Sequence, residues 1–573
     1  MYLFHLFRSF LPLHNPIGFG ASDFIEFSLA ALLVFLVLAG ACVEPFARRL
    51  ADKTIWCMLL LPALVISLRL ALLPVHPVPT PAGADDFSYL LLSDTLAHFR
   101  LANPTHPMHR FFETTFVLQE PTYSSIYPLG QALVLAFGQL VFGLPWAGVV
   151  LSVAAFSSLC FWMLRGWTTP GWALVGGLLA VCEFGPLSHW MNCYWGGAVS
   201  AIAGCLVFGA LPRLRERWRA RDAVLLGLGL GIQMISRPYE SIFLDLSVLL
   251  FFLPALRRRS EWPNLARASA IALLAVLPAV ALVLVQDRSV TRSWTTIPYA
   301  LSRYQYGVPA AFTFQPNLIP HFRLTPVQQL YFEGQAAVHG QGADTLASYL
   351  ARVKSRMGVS RFFLLAPLCL VLPGFLPLLR NFRFAWLALT LLLFVLGSGL
   401  YPYFFPHYVA ALASLFVLVS VLALERLSRL TIRGYDVGCQ ASRWVLFFCG
   451  AHFLFWYGLH ALGNEQILRV MMPFETADAI NYGDPEGRIA ISRRLAQTPG
   501  QHLVFVRYWP THEYHEWIHN AAEIDNAPVV RALDLGPSEN EKLIQYYPGR
   551  TVWLLEPDAR PPRLRPYTSV GNP

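Results

Sequence analysis

Charge is what this sequence has least of. Only 13% of its 573 residues are Asp, Glu, Lys or Arg, where a soluble globular chain carries about 25%. With 55% hydrophobic residues, the chain lacks the polar surface that a water-soluble fold needs. Cysteine pairing is missing too. The nine cysteines include no CxxC and no paired spacing, so neither a disulfide framework nor a cysteine metal site is expected. The N-terminal stretch has no charged segment followed by an apolar run and a small-residue cleavage site, so no cleavable signal peptide is expected. No internal repeat and no low-complexity tract occurs, which argues against a solenoid or a long disordered linker.

What the chain has in excess is apolar sequence in runs. Stretches of about 16–21 residues recur, the length that a spanning helix requires. The expected fold class is therefore an α-helical polytopic membrane protein with about twelve spans. They fall near 27–46, 56–75, 145–164, 171–188, 197–212, 223–239, 241–256, 267–285, 361–379, 382–400, 405–424 and 444–462. The net charge of +9 does not point to nucleic acid, because the arginines gather in short loops between the runs. "RRLADK" (Arg48, Arg49, Lys53), "RLRERWRARD" (Arg213 to Asp222), "RRR" (Arg257 to Arg259), "RNFR" (Arg380, Arg383) and "ERLSRLTIR" (Arg426, Arg429, Arg433) all fall on one side. The positive-inside rule makes that side cytoplasmic. The agreement requires that the apolar stretch 128–143 does not cross the membrane. It is expected to lie along the outer surface or to re-enter.

Three segments then remain outside within two expected domains. Residues 1–462 form the transmembrane part, with a first outer loop at 76–144 and a second at 286–360. Residues 463–573 are water-soluble in composition. "HLVFVRYW", "APVVRALDLG" and "RTVWLLEP" read as short buried strands, with helices near "EYHEWIHNAAEI" and "SENEKLIQYY" between them. That alternation predicts a small α/β domain with parallel strands, its core resting on Val504, Val506, Val529, Val530, Val552 and Leu554.

The first outer loop opens with "GADDFSYLLLSDTLAHF". Projected on a helix, Asp86, Tyr89, Ser93, Asp94 and His98 gather on one side and Phe87, Leu91, Leu92, Leu96 and Phe99 on the other. This predicts an amphipathic helix lying in the interface. Asp85 and Asp86 stand at its start, where the helix dipole favours negative charge. A solvated cap is the plain reading of that pair.

The pair also carries a resemblance. "ADDFSYLL" after an early span, followed by "YPLGQALVLAFGQL" (Tyr127 to Leu140), resembles the first outer loop of the GT-C superfamily of membrane glycosyltransferases, which includes protein O-mannosyltransferases and lipid A aminoarabinose transferases. More loosely, so does "YPYFFPHYVAAL" at 401–412. The family pair is usually Asp-Glu; here the second residue is Asp86. The family often places another carboxylate in the next outer loop. "LSHWMNCYWGG" (Leu187 to Gly197) offers only His189 and Asn192, which counts against the divalent metal site that stays open here, since such a cation prefers several oxygen ligands; no other cofactor is expected.

The resemblance implies an enzyme of a bacterial inner membrane that moves a sugar from a polyprenyl-phosphate donor to an acceptor on the outer face. Asp85 would be the general base, with Asp86 shaping its pKa or orienting the acceptor. Phosphate would be held by cations near the outer interface, with Arg237 in "ISRPYE", beside Glu240, and His407 in "FPHY" as candidates. Tyr127, His189 and Asn192 complete the expected substrate-binding set. Each has a plainer reading. Arg237 and Glu240, three residues apart, pair with each other. His407 is a hydrogen-bonded interface histidine. The rings of "HWMNCYW" form an aromatic belt.

Two other function classes stay open. "HEWIH" (His515 to His519) matches the HExxH zinc-protease signature if it lies on a helix, with Glu516 as base and Glu539 or Glu541 as a third ligand. A transporter or flippase without chemistry would place ionisable residues in mid-helix, whereas here polar groups concentrate at the outer ends.

Overall fold

The computed structural model describes residues 21–81, 83–340, 344–464, 468, 487–510, 512 and 515–568. Among them, seven helices are long and apolar enough to span a membrane: Thr54–Ala71, Pro145–Leu164, Ala198–Arg217, Pro238–Leu256, Arg259–Thr291, Pro406–Ser428 and Val437–Leu462. The pair Phe27–Gly40 and Val43–Ala51, bent by 65°, adds an eighth if counted as one span. The remaining four expected spans fall short. Pro170–Phe184, Ala220–Ser236 and Phe382–Ser398 have 15, 17 and 17 residues. Residues 360–380 wind as three 3₁₀ pieces, because Pro367, Pro373 and Pro377 each remove a backbone donor that an α-helix uses.

The basic loops share one end of the bundle. Arg383 donates to the carbonyl of Gly166 at 2.7 Å, Arg213 to that of Trp162 at 2.7 Å, and Arg215 pairs with Glu261. Arg165 and Arg426 line one cavity, and Arg48 and Thr169 line its neighbour. The helix Pro145–Leu164 leads from this end to the other, where the Trp146 indole donates to Met191 O at 2.8 Å. The acidic pair lies at that far end, since Asp86 accepts the Tyr194 N–H at 2.9 Å.

Residues 128–143 form the helix Leu129–Phe142, 14 residues long. At about 1.5 Å per residue it spans about 21 Å, less than the roughly 30 Å of a bilayer core. Gly143, in the left-handed conformation at φ 69°, ends it, and the chain doubles back against Pro145–Leu164. Two glycines allow this packing: a Cβ on Gly148 would sit 1.8 Å from the Val134 carbonyl oxygen, and one on Gly130 would sit 2.0 Å from Ser236 Oγ. The second contact presses the start of this helix against the residue preceding Arg237.

The helix that carries the acidic pair is Ala84–Ala97, and the structure corrects the interfacial reading of its faces. Tyr89 and Ser93, assigned to its polar side, are buried, as are Phe87, Leu91 and Leu92 on the apolar side. Leu129–Phe142 covers one flank, where Gln139 donates to Asp94 Oδ1 at 2.9 Å. The C-terminal region covers another.

That region forms a four-stranded sheet in the order Val529–Leu533, His502–Val506, Thr551–Glu556, Arg563–Pro566. The first three strands are parallel, as expected, and the fourth runs antiparallel. Val504, Val506, Val530 and Leu554 are buried, while Val529 and Val552 are only partly covered. One sheet face carries its own cluster, including Leu495, Val504, Trp517 and Leu555. The other face, with Leu503, Phe505, Val530 and Leu543, shares a core with Leu91, Phe111, Phe112, Val117 and Tyr123 of the segment 76–144. The expected boundary at 463 therefore divides two segments that share one core.

Candidate functional site

Gly83 caps the Ala84–Ala97 helix without a side-chain bond, so Asp85 and Asp86 both lie in its first turn. Their side chains part there. Asp86 turns to the loop 187–197 and holds the Tyr194 amide. Asp85 faces a cavity of about 230 Å³, where Tyr127 O–H donates to its Oδ1. Burial pushes the Asp85 carboxyl up to about 6; the Tyr127 hydroxyl and Arg237 act against that rise, and the charge of Asp86 adds to it. The Tyr127 ring stacks on Tyr89 at 4.4 Å between centroids, and Gln286 donates to the Tyr127 carbonyl at 3.0 Å. The same burial, with Asp85 beside it, drives the Tyr127 hydroxyl well above its ordinary value.

Arg237 occupies the break between Ala220–Ser236 and Pro238–Leu256 and lines the same cavity. Its guanidinium lies 4.9 Å from the centre of the Tyr408 ring, a cation–π contact. Among the described residues no ion pair or side-chain hydrogen bond engages it, so the simple Arg237–Glu240 pairing is not formed. Glu240 and His407 also line the cavity. His407 is buried, its ring 5.0 Å from Trp195.

Of the eight residues singled out in the sequence, five thus meet in one cavity: Asp85, Tyr127, Arg237, Glu240 and His407. Three do not. Asp86 binds the neighbouring loop. Asn192 is buried and accepts from Arg69 Nε at 3.1 Å while donating to Ser188 O at 2.8 Å; its amide holds the loop together. His189 packs edge-on against Trp195 at 5.2 Å and stands behind it. Nor do the rings of this loop form a belt: Trp190 is buried against Phe184 at 5.0 Å, and Trp195 lines the cavity.

The sequence reading missed a ring of tyrosines. Tyr89, Tyr299, Tyr401 and Tyr408 line the cavity, with Arg303. Arg303 is already engaged, donating to Ala310 O at 2.8 Å and lying 5.0 Å from the Tyr299 ring centre. Tyr401 and Tyr408 fall inside "YPYFFPHY" and were within reach of that motif. Tyr299 and Arg303 come from the helix Pro298–Tyr306 in the segment 286–360, which no motif marked.

The "HEWIH" segment is a correction. Residues 515–520 are not helical, so His515 and His519 share no helix face. The physical reason is Glu516, whose buried Oε1 accepts the N–H groups of Trp517 at 3.0 Å and Ile518 at 2.9 Å and the Tyr508 hydroxyl at 2.9 Å. That carboxylate supplies the partners a helical ladder would have given. His519 stacks on Phe87 at 4.0 Å. Among the described residues no group of three His, Cys, Asp or Glu side chains is placed to hold a metal ion.

No protein-family model and no curated protein sequence matches the chain. Solved structures do. The fold is similar to that of ArnT from Cupriavidus metallidurans bound to undecaprenyl phosphate, at 12% identity and a TM-score of 0.52, over 87% of this chain and 92% of that one. ArnT in the apo state aligns at 12% identity and a TM-score of 0.47, over 86% and 92%. The archaeal oligosaccharyltransferase AglB from Archaeoglobus fulgidus, in complex with an inhibitory peptide and a dolichol-phosphate, aligns at 10% identity and a TM-score of 0.42, over 87% and 69%. At 12% identity, the likeness to ArnT shows a shared fold.

Proposed function

We propose that this protein is a GT-C glycosyltransferase that moves a sugar from a polyprenyl-phosphate donor to an acceptor at the outer face of a bacterial inner membrane. The observation that carries the reading is the meeting of Asp85 and Arg237 in one cavity. A carboxylate with a pKa of about 6 is ionised at neutral pH yet basic enough to take a proton. A guanidinium without an ion pair has its donors available for a phosphate.

In this mechanism the acceptor hydroxyl or amine lies against Asp85 and gives up its proton as it attacks the anomeric carbon. The polyprenyl phosphate leaves with the bonding electrons, its charge met by Arg237. Tyr127 fixes the orientation of Asp85, and the tyrosine ring around the cavity excludes water. Catalysis then rests on positioning and charge stabilisation. The positive-inside rule supports the sidedness, since the basic loops occupy the end opposite Asp85. Twelve crossings, counting the four shorter segments, keep every basic loop on that side and put the C-terminal sheet over the outer face.

Reconstitution in proteoliposomes with a panel of polyprenyl-phosphate sugars tests the reading. Consumption of one donor with release of polyprenyl phosphate is the expected result. Movement of donor between leaflets without cleavage assigns the protein to transport instead.

A further inference from the structure

Two cavities adjoin at the basic end of the bundle, opposite Asp85. One, of about 730 Å³, is lined by Arg165, Trp167, Thr168, Glu425, Arg426 and Arg429, among others. The second, of about 660 Å³, is largely apolar, with Val43, Leu174, Leu178, Leu446 and Phe447 in its wall. Thr169 lines both, so the two spaces meet there.

The polar partners in the first cavity leave an excess of positive charge. Glu425 is shared, pairing with Arg429 at 2.5 Å and accepting the Thr168 hydroxyl at 2.6 Å. Among the described residues, Arg165 and Arg426 make no side-chain hydrogen bond or ion pair. The Arg165 Nη1 is shut off from solvent without an acceptor. Arg213 and Arg383 back the same loop, donating to Trp162 O and Gly166 O. The positive-inside rule explains arginines at this end. It does not explain why Arg165 and Arg426 line one cavity with no carboxylate of their own, the Glu425 there being already taken by Arg429 and Thr168.

We propose that the two cavities hold an anionic phospholipid of the leaflet at that end, its phosphate between Arg165 and Arg426 and an acyl chain in the apolar cleft. Basic pockets between spanning helices recognise such head groups by charge-assisted hydrogen bonds. The apolar continuation beyond Thr169 favours a lipid over free phosphate. The site is separate from the Asp85 cavity and holds whether or not that cavity transfers sugar.

The test uses the full chain purified in detergent and titrated with dioleoyl phosphatidylglycerol, dioleoyl phosphatidylcholine or sodium phosphate, with binding read by native mass spectrometry and apparent Tm. Phosphatidylglycerol is expected to bind more tightly than phosphatidylcholine. Arg165→Gln with Arg426→Gln is expected to weaken it roughly thirtyfold, about fivefold per arginine. Arg257→Gln, at the same end but outside the cavity wall, leaves binding unchanged. Should the double variant fail to fold, the exposed Arg426→Gln alone carries the test with its fivefold loss. Equal binding of the two lipids, unaltered binding in Arg426→Gln, or sodium phosphate matching phosphatidylglycerol would each overturn the assignment.

Discussion

The Tyr127 hydroxyl donates a hydrogen bond to Asp85 Oδ1, joining the start of the Ala84–Ala97 helix to the segment that leads into Leu129–Phe142. A donor on a carboxylate favours its charged form, so this bond holds Asp85 below where burial alone would put it. Tyr127→Phe is expected to raise the Asp85 pKa above about 6 and move the acid limb of kcat/KM to higher pH. A profile that stays in place would show that the hydroxyl does not tune the carboxylate.

Stability should respond to the same group. The Asp85 carboxyl is raised from 3.8 to about 6 on folding, so the native state holds the proton more tightly than the unfolded chain. Its charge therefore disfavours the fold: the penalty is absent below pH 3.8, grows between there and about 6, and is complete above. Asp85→Asn is accordingly expected to raise the apparent Tm at pH 7.5 and to give no gain near pH 3.5. A gain of equal size at both would contradict the linkage.

The shared core makes a prediction about the C-terminal region. Phe505 lies 6.3 Å from Phe111 between ring centroids, and His106 with Tyr547 grips Asp525 at 2.9 and 2.5 Å. Residues 487–568 expressed alone would expose the face that Leu91, Phe111 and Phe112 cover. The fragment is expected to lack cooperative unfolding, and Phe505→Ala in the full chain to lose about 3–5 kcal/mol. A cooperative melt for the fragment would show that it folds independently.

Glu516 offers a fourth test. Since its carboxylate holds two backbone amides and a hydroxyl, Glu516→Ala is expected to cost about 1–3 kcal/mol, while elemental analysis of the wild type finds no stoichiometric zinc. One zinc per chain, lost on His515→Ala, would restore the metal reading.

The sequence carried the fold class well because lipid imposes a plain code: long apolar runs, with clusters of arginine in the short loops on one side. It carried the strands of the C-terminal sheet for a similar reason, as His502–Val506 and Val529–Leu533 are short apolar runs bounded by turns. It misread the Ala84–Ala97 helix because Tyr89 and Ser93 are polar in type and yet buried, Tyr89 against Tyr127 and Ser93 beside Gln139. "HEWIH" failed through a local contest, in which Glu516 competes with a helix for its own backbone donors. In the candidate site, Asp85, Arg237 and His407 were legible from motifs at helix ends. Tyr299 and Arg303 were not, since a long connecting segment has no periodicity to say which of its residues turn inward.

The central claim is that Asp85 takes the acceptor proton while Arg237 holds the donor phosphate, and one experiment separates these roles. Wild type, Asp85→Asn and Arg237→Gln are reconstituted with the donor that the panel identifies, and donor binding and turnover are measured on the same vesicles. Asp85→Asn is expected to bind donor normally and transfer no sugar. Arg237→Gln is expected to lose roughly tenfold to a hundredfold in kcat/KM, the scale of about 1.5–3 kcal/mol for a hydrogen bond to a charged group. Near-normal turnover in Asp85→Asn would contradict the account.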